Sequence, residues 1–391
     1  MLTRPPRPTV RFDPLDQKLR FHDLQVYDQV RQAGGITWSP LHGGFWAVAD
    51  FALAKQVAAD HLRFRSGGGV RIPPNGTPPT FALEYDRPEH AVHRKILTDA
   101  VGPRVAPGLE AKVRGHARRL LATGGDGPFD LGEGYAFRLS LDVMFELIGA
   151  PAHLKDEVEQ LAEALFLYRT PLPDGRDAPT RLREILEEMV TARTEQPGED
   201  WLSSVVARRH DTERPLTEPE VHGAIVALLV GGHHSTARAT ACLLAHLVSH
   251  DELQRTLRAA PERIPEAVEE AVRMWTPLRW FARTAAEDIE LGGVIVRAGE
   301  RVLLLYAGAN HDPRRFDVPD EFVLGQSKTN THLAFGWGIH RCVGMPLAQL
   351  EVRVAVDELF SACDWAQLCD AITWTSSTEP RHIRCALRSA A

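Results

Sequence analysis

The strongest constraint on this chain lies between residues 217 and 250. Thr217-Glu-Pro-Glu220 is a capping-box signature, in which a Thr side chain accepts from the amide three residues on while the Glu reaches back. The sequence after it stays helix-compatible to about His250. At ~1.5 Å per residue such a helix is about 50 Å long, enough to cross an entire domain. Its middle, AIVALLVGG, is apolar on all sides, which marks a helix buried in protein. The fold is therefore built around this rod.

Its surroundings are mostly helical too. From Pro88 to about Leu257 the pattern is mostly helical, with breaks at Gly124–Pro128, Gly149–Pro151, Pro171–Pro179, Pro197–Glu199 and Asp211–Pro215. Further helices are predicted over Phe21–Ala33, from Asp50 as cap to about Ala59, near Pro265–Trp275, and from about Pro346 to Phe360. Extended runs fall around Ile36–Trp38, Phe45–Val48, Ile289–Leu291, Val294–Val296 and Val302–Leu305. Residues 1–20 read as coil, and Ser66–Thr80 is too rich in Gly and Pro for a helix interior. Long irregular loops inside compact domains are more often functional than idle. The expected class is mainly α with small β-sheets.

Composition removes several functions. The chain has 391 residues, with 45 Lys+Arg against 52 Asp+Glu, a net charge of -7. A mildly acidic balance argues against a general nucleic-acid binder. The segment MLTRPPRPTVRF has no apolar core, so it predicts neither a signal peptide nor a membrane anchor, and the cytoplasm is the expected location. Five cysteines without a CxxC pair argue against a disulfide framework, zinc ribbons, thioredoxin-like sites and CxxCH haem attachment.

One cysteine stands out. In FGWGIHRCVG, residues 335–344, three glycines surround Cys342 and let backbone approach a flat object closely. The helix that follows would turn its positive end toward a thiolate there. An iron–thiolate bond in haem needs one sheltered anionic sulfur with donors around it. Here the sequence resembles the cytochrome P450 family, whose haem signature FxxGxHxCxG is matched at Phe335, Gly338, His340, Cys342 and Gly344. The resemblance runs from about Phe21 to Phe360 and implies haem b (iron protoporphyrin IX) with Cys342 as axial ligand. It further implies that Phe335 packs near the sulfur and that His340 bonds a propionate. Cys242, Cys363, Cys369 and Cys385 match no ligand position and are expected to pack.

Other positions gain meaning from that resemblance. Glu270 and Arg273 lie three apart on one helix face, at the family's ExxR position, and are expected to be a buried structural pair. His90 and Arg94, at i and i+4, resemble the family's HxxxR segment, and Arg283 resembles the arginine before its next strands. With His340 they would supply donors for two propionates. Segments from residue 90 to residue 342 must then converge on one haem, so 1–391 is expected to form one cytochrome P450 domain.

The central helix departs from the family pattern. Where a small–Gly–x–acid–Thr patch is expected, the chain reads LLVGGHHSTARAT. With Gly231-Gly232 as the small pair, His234 takes the acid position and Ser235 the alcohol position, with Thr236 the alternative if the register shifts by one. Gly232 would leave room for dioxygen, Ser235 would bond it, and His234 would relay protons, its unperturbed pKa lying near ~6.5. Gln349 stands where soluble members usually carry Arg.

The resemblance implies a secondary-metabolism monooxygenase that inserts one atom of O2 into a small organic substrate. Electrons would come indirectly from NAD(P)H through a ferredoxin or flavodoxin and its reductase. Such donors are commonly acidic, so Lys95, Lys112, Arg341 and Arg353 are candidates for steering them. Ser66–Thr80 and Leu165–Pro179, with Phe166, Leu167, Tyr168 and Arg169, would border the substrate entrance. Two alternatives remain: an oxidative-coupling or peroxide-driven haem-thiolate enzyme, and a haem-binding sensor without turnover.

Overall fold

The computed structural model describes residues 8–388 apart from 75–77, 125–126, 168–171, 173 and 329. The rod is one unbroken α-helix, Glu218–Ser249, 32 residues long. Both halves of its capping box are made: the Glu220 amide donates to Thr217 Oγ1, and the Thr217 amide donates to Glu220 Oε2 at 3.0 Å. Glu220 also meets His93 Nε2 at 2.9 Å, which ties the start of the rod to the helix Glu89–Val101. The helices Arg138–Ile148, Ile264–Trp275 and Met345–Ala362 pack directly on the rod, and Glu110–Leu121 packs on the first and third of these. Gly232 lets the rod and Arg138–Ile148 pack closely, since a Cβ there would lie 2.6 Å from Met144 Sδ.

A five-stranded sheet forms the second body of structure. Its order is Ile36–Ser39, Phe45–Val48, Arg301–Leu304, Phe281–Ala285, Phe64–Arg65, and its one parallel pairing joins Phe45–Val48 to Arg301–Leu304. Residues alternate between two apolar layers, with Trp46 and Val48 in one and Phe45 and Ala47 in the other. Asp50 caps the helix Phe51–Ala59 by accepting from the Leu53 amide at 2.7 Å. Smaller elements are the hairpin Ile289–Leu291 with Val294–Val296, the hairpin Thr373–Ser376 with Glu379–His382, and the sheet of Phe129–Asp130, Arg384–Arg388 and Trp365–Leu368. Among the described residues no helix is long and apolar enough to cross a membrane.

Apart from an unpredicted break between Glu89–Val101 and Glu110–Leu121, the predicted helices and strands are present within two or three residues of their expected ends. Several short strands were not foreseen. Phe281–Ala285 reads FARTA, with little β propensity of its own, and exists because strands on both sides pair with it. A short helix, Tyr306–Asn310, also stands after the strand Arg301–Leu304, where no element was predicted. The described residues of the Ser66–Thr80 segment form no helix or strand, yet they are tethered. Asp86 accepts from the Ser66 and Gly67 amides at 2.9 and 3.1 Å, and Glu84 accepts from Val70 and Thr80 at 2.8 and 2.7 Å. Of the second entrance segment, Tyr168 and Arg169 lie outside the described residues.

Candidate functional site

The loop around Cys342 is held by its own backbone. The Cys342 amide donates to the Phe335 carbonyl at 2.8 Å, and the Gly336 amide donates to Leu333 at 2.9 Å. Gly336 and Gly338 adopt φ of 65° and 72°, which side chains disfavour. At Gly338 a Cβ would also lie 2.3 Å from the Ala58 carbonyl oxygen, so conformation and space both demand glycine. Cys342 sits deep among protein atoms yet keeps accessible surface, so it lines a recess rather than filling the core. Burial pushes its thiol pKa up; the Gly344 and Met345 amides at the start of Met345–Ala362, and Arg94, pull it back. Cys242, Cys363 and Cys385 are buried as expected, but Cys369 is exposed on the edge of a strand end and does not pack.

Behind the loop, Glu270 and Arg273 form a two-pronged ion pair, Nε to Oε2 at 3.0 Å and Nη2 to Oε1 at 2.8 Å, with both side chains 0% exposed. Neither charge is left unsatisfied. Arg273 also donates to the carbonyls of Asn310, Pro319 and Glu321 at 2.8, 2.7 and 3.1 Å. Glu270 accepts from the Val323 amide, Gln326 and Ser327. Such a pair stitches one helix to the irregular stretch 310–327 that leads into the cysteine loop. Asn310, which sequence reasoning missed, completes the lock: it accepts from the Leu333 amide at 2.7 Å and donates to Thr276 Oγ1 at 2.8 Å.

The four residues expected to meet the propionates come together on the other side of the loop. His90 and Arg94 share a face of Glu89–Val101, and the His90 and His340 rings lie 4.4 Å apart. Arg94 donates to the Arg341 carbonyl, and Arg283, 2% exposed, donates to the Ala282 carbonyl at 2.8 Å. His90 Nδ1 and His340 Nε2 are buried without a partner. Burial, then Arg283 and its neighbours His90 and Arg94, hold the His340 pKa down to about 2. Burial and the nearby Arg94 and Arg87 hold His90 down to about 4. Cations and orphaned imidazole nitrogens crowded together call for an anion with several acceptors. The two carboxylates of a haem answer that need, so the residues present fit the group.

On the central helix an accessible stripe runs through Ala227, Gly231 and Ser235 at intervals of four. This corrects part of the expected patch. Gly231, with open space around its Cα, is the position that leaves room, whereas Gly232 faces Met144 and serves helix packing. Ser235 lies on the accessible face and donates to the Gly231 carbonyl at 3.0 Å; Thr236 is buried on another face. His234 is also buried, with both ring nitrogens unpartnered. Burial, then His233, Arg238 and Arg381, lower its pKa to about 2. It is a neutral imidazole at physiological pH and does not titrate near 6.5.

The cations expected to steer an electron donor are engaged. Lys95 meets Asp99 at 3.6 Å, Lys112 meets Glu146 at 3.2 Å, and Arg353 meets Glu110 and Asp357 at 2.8 and 3.1 Å. Arg341 stacks over Trp337. Gln349 donates to Glu269, which also meets His332 at 3.1 Å, so it acts in helix-to-loop packing. A second group missed in the sequence is Glu351, 1% exposed on Met345–Ala362 with neither oxygen hydrogen-bonded. Burial drives its carboxyl well above the usual range. A lone acid in the apolar run LEVRVAV was the available signal.

Comparison with known proteins agrees with this geometry. The profile of the family described as Cytochrome P450 matches residues 175–371. The chain is 36% identical over 332 residues to nocardicin C N-oxygenase of Nocardia uniformis subsp. tsuyamanensis, covering 81% of each. It is 33% identical over 325 residues to mycinamicin IV hydroxylase/epoxidase of Micromonospora griseorubida, covering 80% of this chain and 81% of that one. Among solved structures, HinD with NMFT and NO superposes with a TM-score of 0.86 at 29% identity, covering 97% of this chain and 99% of that chain. A mutant of P450 EryK in complex with erythromycin B gives 0.83 at 28% identity, covering 94% and 96%. The chain belongs to the cytochrome P450 family. It is a haem enzyme of the monooxygenase type.

Proposed function

We propose that Cys342 is the axial ligand of haem b and that His90, Arg94, Arg283 and His340 hold its propionates. We further propose that 1–391 acts as one unit, in the cytoplasm, on a small organic substrate of secondary metabolism. The observation that carries this reading is the meeting of one accessible cysteine with four basic groups from three distant segments. Haem, when bound through a thiolate, supplies the oxidising chemistry that splits O2 and transfers one oxygen atom.

The chain's own residues bind, orient and seal. The Gly344 and Met345 amides restrain the charge on the Cys342 sulfur, while the Glu270–Arg273 pair holds the loop. Gly231 leaves space on the central helix, and the Ser235 hydroxyl, by leaving the Gly231 carbonyl, offers a donor into that space. Electrons come from NAD(P)H through a separate ferredoxin or flavodoxin and its reductase. The paired state of Lys95, Lys112 and Arg353 supports docking by shape more than by charge. The names of relatives that act on nocardicin C and mycinamicin IV support a natural-product substrate.

The test has two parts. Reconstituted protein should give the ferrous–carbon monoxide absorption band of a thiolate-ligated haem, and Cys342→His should lose it. Natural-product-like ligands should then shift ferric protein to high spin and stimulate NAD(P)H use with a donor and reductase. A wild-type protein without the thiolate band would overturn the assignment. Turnover with peroxide alone would replace the monooxygenase by the peroxide-driven reading.

A further inference from the structure

His234 cannot store a proton, yet polar groups continue behind it. Its ring lies 4.3 Å from that of His233, and His233 Nε2 lies 3.7 Å from Glu159 Oε1. Both His233 nitrogens are buried without a hydrogen-bond partner, and the 3.7 Å contact to Glu159 lies about half an ångström beyond hydrogen-bond length. Glu159 stands in a cluster that converges on Arg381. That guanidinium is paired with Glu133, lies 3.1 Å from Glu163, 3.7 Å from Glu159 and 3.9 Å from Glu379, and stacks over Phe137. Glu379 is in turn paired with Arg238 of the central helix.

Charge counting gives this cluster its character. Among the described residues, Glu133, Glu159 and Glu163 share the Arg381 guanidinium, with Arg138 acting on Glu159 from further off, so full ionisation leaves negative charge in excess in partly buried surroundings. Protonation is the natural relief. Burial, with the neighbouring carboxylates opposing Arg381, raises the pKa of Glu133 and of Glu163. Glu159 is lowered: burial opposes ionisation there, but His233, Arg381 and Arg138 outweigh it. Asp130 and His382 flank the Glu133 end with opposite signs. Exposure falls inward in the same order, from 39% at the Glu133 side chain and 27% at Glu163 to 16% at Glu159 and 2% at His233.

We propose that the carboxylate cluster around Arg381 is the proton store for the accessible side of the central helix. It fills from the surface at Glu133 and Glu163 and delivers inward through Glu159 and His233. The inference rests on the monooxygenase reading, because only a reaction that consumes protons on that side drains the store. Each transfer moves one proton. Solvent protonates Glu163 or Glu133, the proton passes to Glu159 and on to His233 Nε2, and His233 releases its Nδ1 proton to one ring nitrogen of His234. His234 gives up the proton on its other nitrogen toward the accessible face, and a turn of each ring restores the starting tautomer. The next proton from solvent restores the cluster. Neutral His234 is then a conduit and not a reservoir.

The experiment joins infrared spectroscopy to turnover. Ferric holoprotein should show a protonated-carboxyl stretch that titrates above the usual carboxylate range, shrinks in Glu163→Gln and vanishes in Glu133→Gln with Glu163→Gln. Glu351 should add a second, non-titrating band, recognised by its loss in Glu351→Gln. Glu159→Gln and His233→Phe should keep the thiolate band and the melting temperature. They should cut product formed per electron at least ~10-fold, divert electrons to peroxide and enlarge the solvent deuterium effect. If His233→Phe fails to bind haem, Glu159→Gln decides alone. Absence of a titrating band in wild type, or unchanged coupling in Glu159→Gln, would overturn the proposal. A wild type that shows the band but never oxygenates a substrate would overturn the functional reading and the delivery role together.

Discussion

The two sides of the haem site treat polar groups in opposite ways. On the cysteine side, Arg273 makes two contacts to Glu270 and three to backbone carbonyls, and Glu270 accepts three further bonds. On the opposite side, His233 and His234 are buried with all four ring nitrogens unpartnered, beside an excess of carboxylates. A loop that must present one sulfur in one place is fixed by saturating every neighbour. The buried histidine face, proposed above to pass protons, keeps unspent hydrogen-bonding capacity. Rigidity and reactivity are thus assigned to different sets of residues.

The largest test of that contrast is Glu270→Ala. It leaves a buried guanidinium unpaired and should cost about 3–5 kcal/mol, read from urea unfolding, with little haem retained. Next is Arg283→Leu. Losing one charge-assisted bond should weaken haem binding by roughly 1.5–3 kcal/mol, measured as the rate of haem transfer to a scavenger. The same variant should leave the haem-free protein as stable or more so, because it relieves crowded positive charge. A fall in both quantities would contradict the cradle.

Ser235→Ala should lower product per electron several-fold, with Ser235→Thr close to wild type, while Thr236→Val changes little. The pH response follows from the neutral histidines of the rod. His234 and His246 have pKa values lowered to about 2 and about 4, chiefly by burial, so the folded chain binds fewer protons there than the unfolded chain. Stability should therefore be full above pH ~6.5 and decline from there downward until the folded values are reached. His246→Phe, packed against Trp275 and Phe322, should flatten that decline in pH-dependent denaturation. The smallest effect concerns salt. With Lys95, Lys112 and Arg353 already paired, the rate of reduction by a donor should change less than about two-fold between low and high ionic strength. A steep fall would restore electrostatic steering.

Much of this was readable in advance, for identifiable reasons. The rod, its capping box and the cysteine loop are local patterns, and local patterns survive folding. The Glu270–Arg273 spacing was visible too, and its burial was expected from the family resemblance rather than from the spacing itself. What escaped were features made by distant partners. FARTA becomes a strand because neighbours pair with it, and Arg381 gathers Glu133, Glu159, Glu163 and Glu379 from three separate elements. Gly231 and Gly232 could not be told apart without Met144, and the depressed His234 pKa comes from burial that sequence does not report.

The parallel pairing of Phe45–Val48 with Arg301–Leu304 also sets a timetable. Trp46 and Val302 are register partners 256 positions apart. At roughly 5–20 residues per second, a ribosome needs about 13–50 s to make the second strand after the first. During that interval the hairpin of Ile36–Ser39 and Phe45–Val48 shows an unclosed edge to the cell, and chaperone occupancy there should govern yield.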